Sequence, residues 1–236
     1  MKAMILGAGL GKRMRPLTNN LPKPLVRAGK KMLIEYHLEA LANAGFKDVV
    51  INTHWCADKM PEALGDGCKW GLSLHYSRET ELLETAGGIN KALPLLCDTP
   101  DDIFLVINGD IYCEFKLDNW VAAQREFCPK QTACLAMIEN PKQHPDGDFS
   151  LESDGGPLSL SDPSASNRYT YAGLALFKAR FFSDLDEGPI PLAPLLKKDI
   201  QAGKILGTVM NEMWVDVGTP ERLDALNHYL QSSHNE

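Results

Sequence analysis

The chain has 236 residues, enough for one large domain or two small ones around a full hydrophobic core. Its 44% apolar and 23% charged content is that of an ordinary globular protein, but the net charge of −7 is unevenly spread. The first 34 residues hold eight cations and no acid, leaving 16 cations against 31 acids in the rest. An acidic remainder disfavours a nucleic-acid partner, and no apolar run approaches the ~18 residues that membrane insertion requires. The short N-terminal apolar stretch is broken by glycine, unlike a signal peptide, so a cytoplasmic location is expected. Six cysteines, at 56, 68, 97, 113, 128 and 134, include no C-x-x-C pair and read as reduced thiols.

Residues 3–6 form a short apolar run, the first expected strand. Gly7, Gly9 and Gly11 follow at alternate positions, then Lys12, Arg13 and Arg15. Glycines let a ligand approach the backbone closely, and amides converging on one concavity bind anions. With so many cations beside them, the expected ligand is a small polyanion. A Walker A loop is excluded, because Leu6 stands at its first glycine position and Arg13 follows the lysine. A dinucleotide fingerprint is excluded too: Lys12 stands at its third glycine, and Pro16, Pro22 and Pro24 prevent a long helix there.

Residues 32–44 read as a helix with Ile34, Leu38 and Leu41 on its apolar face and Gly45 as its stop. Strands are expected at 49–51 and 72–76, and a helix at 86–93 opening on Gly87-Gly88. Residues 103–107 are apolar throughout, as in a central parallel strand, and end in Asn108-Gly-Asp110. A helix at 117–127 and a strand at 132–138 complete an alternation that predicts a doubly wound, mostly parallel α/β sheet. Residues 140–166 are rich in Gly, Pro, Asp and Ser and read as a small hairpin excursion at the binding rim. A strand at 169–178, a helix at 193–202 and strand-like runs through 205–217 follow. Pro220 opens a last helix with Thr219 as its cap. One domain over residues 1–230 is expected, with 231–236 as a frayed tail.

Ligands of open α/β sheets bind beyond the carboxyl ends of the strands, where the Gly7 loop, Asp110 and Asp216 are expected. Magnesium is commonly held by one or two carboxylates together with substrate phosphates, which two strand-end aspartates would suit.

Gly7-Ala-Gly-Leu-Gly-Lys-Arg-Met-Arg-Pro-Leu-Thr18, followed by Pro22-Lys-Pro-Leu25, resembles the signature of the sugar-1-phosphate nucleotidyltransferase family. Asn108-Gly-Asp110 and Trp214-Val-Asp-Val-Gly-Thr219 resemble its two metal segments. The likeness runs from Lys2 to about Leu230 and implies a Rossmann-like nucleotidyltransferase fold. It implies that a nucleoside triphosphate reacts with a sugar 1-phosphate and releases pyrophosphate. Gly9, Gly11, Arg13 and Lys23 would bind the phosphates, with Arg13 and Lys23 catalytic, and Asp110 and Asp216 would hold Mg2+. Thr85 and Gly88, in Glu84-Thr-Ala-Gly-Gly-Ile89, would face the base and ribose. Gly147, Asp148 and Gly173 would line the sugar side, with Arg168 a candidate cation near its far end. The compact size and the Leu83–Ile89 segment resemble the branch that joins N-acetylmuramic acid 1-phosphate to UTP in bacterial cell-wall recycling. A guanylyltransferase for mannose or heptose 1-phosphate and a non-catalytic nucleotide-sensing subunit remain alternatives. Oligomeric state is not legible.

Overall fold

The computed structural model describes residues 1–123, 130–160 and 167–232. Residues 124–127 of the expected helix, 161–166 of the expected excursion and 233–236 of the expected tail lie outside the described residues. In chain order the elements are β1 (Ala3–Leu6), β2 (Arg27–Ala28), β3 (Lys31–Met32), α1 (Leu33–Asn43), β4 (Asp48–Thr53), α2 (Lys59–Leu64) and β5 (Ser73–Arg78). Then come α3 (Glu84–Leu96), β6 (Ile103–Asn108), β7 (Ile111–Cys113), α4 (Leu117–Ala123), β8 (Ala133–Ile138), β9 (Phe149–Leu151) and β10 (Leu158–Ser159). The last are β11 (Arg168–Lys178), α5 (Leu192–Gln201), β12 (Ile205–Val209), β13 (Trp214–Asp216) and α6 (Pro220–Ser232). The fold is mixed α/β with a mostly parallel central sheet, as the alternation predicts. Among the described residues no helix is long and apolar enough to cross a membrane.

Two compact units can be distinguished along the chain. One comprises Lys2–Leu82, Ile107–Asp118 and Met213–Glu236. In it β1, β4 and β5 run parallel, with Ile5 opposite Ile51 and Ile51 opposite Tyr76. Met4, Ile5 and Val49 to Ile51 are completely buried, and Leu74 nearly so. Helix α1 begins where the Glu35 carboxylate accepts the Met32 amide, and it buries Ile34, Leu38 and Leu41. Helix α6 begins at Pro220, with the Thr219 hydroxyl accepting the Arg222 amide at 3.4 Å. Its Leu223, Leu226 and Leu230 pack with Met14, Val26, Leu33 and Val217. Each such side chain contributes roughly 1.5–3 kcal/mol by leaving water. The last helix thereby holds the basic N-terminal segment in place.

The other unit comprises Leu83–Val106 and Asn119–Glu212, with Met1. Strand β8 pairs parallel with β12 and antiparallel with β11, which also pairs antiparallel with β9. Strands β9 and β10 form the expected hairpin. A register shift in β11 lies between Tyr171 and Ala175, where Gly173 has φ +80°. Phe104, Phe177 and Phe182 are fully buried and touch one another as tilted or edge-on rings.

Candidate active site

The glycine loop is anchored at the carboxyl end of β1. The Gly7 amide donates to the Asn52 side-chain oxygen at 2.8 Å. The Asn52 side-chain nitrogen donates in turn to the Glu79 carboxylate at 2.7 Å, and both bonds are buried. A side chain on Gly7 would lie 2.9 Å from the Asn52 carbonyl, whereas Gly9 is exposed with open space around it. Gly11 takes φ +58°, and its carbonyl accepts the Thr18 hydroxyl at 2.7 Å and the Met14 amide at 2.9 Å. The buried Thr18 is itself fixed by the Trp55 indole, which donates to its carbonyl. Arg13 lies in the single 3-10 turn Lys12–Met14, exposed beside the fully buried Met14. The prolines do keep the segment from becoming a long helix, and a second 3-10 turn, Lys23–Leu25, follows.

That second turn carries Lys23 to the end of β6. Its ammonium donates to Asp110 Oδ2 at 2.6 Å, with the lysine side chain 10% exposed and the aspartate 35%. Gly109 makes the approach possible: its amide donates to the Leu6 carbonyl, and a Cβ there would stand 2.5 Å from that oxygen and 3.0 Å from Pro24 Cγ. Asp216 arrives on β13, which pairs antiparallel with β7 so that Asp216 faces Ile111. The Val217 amide donates to the Asp110 carbonyl at 2.9 Å. Asp216 thus stands opposite the residue after Asp110, although more than a hundred residues separate the two aspartates in sequence. Arg222, in the first turn of α6, donates to Asp216 Oδ2 at 2.5 Å and to its carbonyl at 3.3 Å.

Among the described residues no group of three or more His, Cys, Asp or Glu gathers as a metal cage. Two partly exposed carboxylates instead fit a hard cation that takes its other ligands from phosphate and water. Behind them His37 is buried, and burial pushes its imidazole down to about 4 against the opposing pull of the Ile111 backbone and Asp110.

The remaining candidates belong to the other unit. Helix α3 begins at Glu84, two residues earlier than expected, with Thr85 half-buried and Gly88 buried. The Ala86 and Gly87 amides both donate to the Ile190 carbonyl, so neither is free to meet a ligand. The fit is tight, since a Cβ on Gly87 would stand only 2.2 Å from the Gly188 carbonyl. Gly147 takes φ +60°, and a Cβ there would meet Asn140 Oδ1 at 2.4 Å. Asp148 accepts the Tyr171 amide at 2.8 Å and has His144 Nε2 at 3.0 Å, which ties the Gly147 turn to β11 two residues before Gly173. Arg168 donates to the Asp146, Gly147 and Asp148 carbonyls, a structural task that its sequence position did not suggest. Asn52 reads only weakly from sequence, and Glu79 not at all. Arg222 follows the metal segment by a helical turn, the one signal that marked it.

The glycine loop and the two ion pairs, Lys23–Asp110 and Arg222–Asp216, lie in one unit of the chain. Comparison with known proteins gives the family. Residues 2–149 match the Nucleotidyl transferase family, and the chain belongs to that family of enzymes. It is 40% identical over 225 residues to N-acetylmuramate alpha-1-phosphate uridylyltransferase of Neisseria meningitidis, covering 94% of this chain and 95% of the relative. It is 32% identical to the protein of the same name from Caulobacter vibrioides, covering 93% and 92%. The crystal structure of a putative glucose-1-phosphate thymidylyltransferase from Bacillus anthracis, in complex with a sucrose, has the same fold. Its TM-score is 0.82 at 20% identity, over 97% of this chain and 94% of that one.

Proposed function

We propose that the protein transfers a uridylyl group from UTP to N-acetylmuramic acid α-1-phosphate, releasing pyrophosphate, as a cytoplasmic step of cell-wall sugar recycling. The similarity to two uridylyltransferases over more than nine-tenths of each chain supports the choice of substrates. The observation that carries the chemistry is the bond from Lys23 to Asp110, with Asp216 opposite the residue after Asp110.

The sugar phosphate is already an anion, so no side chain has to remove a proton from it. Its oxygen forms a bond to the α-phosphorus, and the bond from that phosphorus to the β-bridging oxygen breaks as pyrophosphate departs. The protein's task is positioning and charge neutralisation. The Gly9 and Gly11 amides and the exposed Arg13 hold the β- and γ-phosphates. Lys23 has three N–H donors, so it can keep Asp110 and still meet the charge at the α-phosphate. Asp110 and Asp216 are the residues that would hold Mg2+, which supplies Lewis-acid neutralisation of phosphate charge. Thr85 and Gly88 contact the base and ribose, and Gly147, Asp148 and Gly173 the sugar. Residues 1–230 act together as one catalytic domain.

Pyrophosphate release on mixing the protein with UTP, Mg2+ and a panel of sugar 1-phosphates tests the proposal. Release that depends on both substrates supports transfer. Nucleotide binding without release under any pairing assigns the chain to a sensing role.

A further inference from the structure

Each of the two proposed metal carboxylates already has a cation of the same unit on its Oδ2 atom. Lys23 sits 2.6 Å from Asp110, and Arg222 sits 2.5 Å from Asp216. The four charges sum to zero. The Asp216 pair is the more displaceable, with about a quarter of each side chain exposed, whereas Lys23 is 10% exposed. Gly218 packs against the pair: a Cβ there would lie 3.0 Å from both Arg222 Nη1 and Asp216 Oδ1. Arg222 further donates to the Asp216 carbonyl, which keeps the guanidinium beside the carboxylate through two contacts.

We propose that Arg222 is a resident counter-ion that competes with divalent metal for Asp216, so that metal binds well only as its nucleoside triphosphate complex. A free dication entering a neutral quartet gains little and meets two nearby positive charges. A metal–triphosphate complex carries net negative charge, so the same two cations attract it, and Arg222 can exchange its carboxylate for a phosphate oxygen. Arg222 is thus a positioning residue that sets the order of binding. This inference rests on the assignment of Asp110 and Asp216 as metal ligands.

The test is a titration with Mn2+ followed by electron paramagnetic resonance, with and without UTP and without sugar phosphate. It compares the wild type with Arg222→Met, Arg222→Lys, Asp216→Asn and the double variant Arg222→Met/Asp216→Asn. Circular dichroism establishes that each variant is folded. Removing one cation from the quartet should tighten binding of free Mn2+ on the order of tenfold in Arg222→Met. Arg222→Lys should stay near wild type, and the double variant should lose the gain. With UTP present the advantage of Arg222→Met should shrink or reverse. Unchanged or weaker affinity for free Mn2+ in Arg222→Met or, should that variant fail to fold, in a folded Arg222→Gln, overturns the inference. Binding with UTP that ignores Asp110→Asn and Asp216→Asn overturns the metal assignment itself. Binding that needs the aspartates but ignores Arg222 removes only the counter-ion role.

Discussion

Replacing Asn52 by alanine should cut the glycine loop from the strand that supports it. The side chain bridges two buried groups, the Gly7 amide at 2.8 Å and the Glu79 carboxylate at 2.7 Å. Asn52→Ala leaves the amide without that acceptor, at a cost of about 1–3 kcal/mol, and takes from the carboxylate a charge-assisted bond of about 1.5–3 kcal/mol. The expected loss is roughly 3–5 kcal/mol, or a fall of about 10 °C in Tm for a chain of this size. Glu79→Gln separates orientation from bulk. A carboxylate only accepts, so it holds the Asn52 NH2 toward itself and the oxygen toward Gly7. A glutamine amide can donate, which allows Asn52 to turn over and present NH2 to the Gly7 N–H. That variant should lose only about 1 kcal/mol of stability. Its KM for UTP should rise about five- to tenfold, because the loop is no longer pre-organised, with a smaller change in kcat. Thermal melts and steady-state pyrophosphate release at varied UTP measure both. An Asn52→Ala protein with wild-type Tm and wild-type KM for UTP would refute the anchoring role.

Asp110→Asn and Asp216→Asn should each reduce turnover on the order of a hundredfold or more. Asp110→Asn should also lower Tm by a few degrees, since it leaves the nearly buried Lys23 ammonium without its charge partner, and a melt beside the kinetics separates the two effects. Arg13→Ala should mainly raise the Kd for UTP, and Lys23→Ala should mainly lower kcat. Equal Kd values for wild type and Arg13→Ala by calorimetry would return Arg13 to a solvent-facing role. Gly147→Ala combines a φ of +60° with a contact at Asn140, so it should weaken sugar-phosphate binding and cost about 1–3 kcal/mol of stability. His37 titrates near 4 when folded, below its unfolded value. The unfolded chain therefore takes up the proton first, and stability is complete above about pH 6.5 and lost as pH falls toward 4. The loss attributable to His37 is about 3 kcal/mol, and denaturant melts of wild type and His37→Gln across that range measure it as the difference in slope.

The alternation of strands and helices was legible because periodicity and punctuation mark each element locally. Ala3–Leu6, α1, β6 and the Pro220 start of α6 fall where apolar runs, glycine stops and caps predict them. The short strands β2, β3 and β7 were not legible, since two or three residues carry no period. The residues at the site divide in the same way. Gly9, Gly11, Lys23 and the two aspartates stand in the motifs by which the chain resembles its family. Asn52, Glu79 and Arg222 act through partners distant in sequence or in a different element, and only the folded register of β4, β5 and β13 brings them to the site. Arg168 shows the converse: a cation beside a predicted pocket segment whose guanidinium is taken up by backbone carbonyls. Ala86 and Gly87 likewise lose their free amides to Ile190, a residue that no local signal connects with them.

The choice of sugar is decided by a competition between N-acetylmuramic acid α-1-phosphate and N-acetylglucosamine 1-phosphate at fixed UTP and Mg2+, with the nucleotide sugars separated by mass. The lactyl carboxylate distinguishes the two sugars, and a pocket built for it discriminates by the loss of a paired charge. The uridine diphosphate derivative of the lactyl sugar should be the dominant product, with one pyrophosphate released for each. Equal use of both sugars, or faster turnover of mannose 1-phosphate with GTP in a parallel reaction, would contradict it.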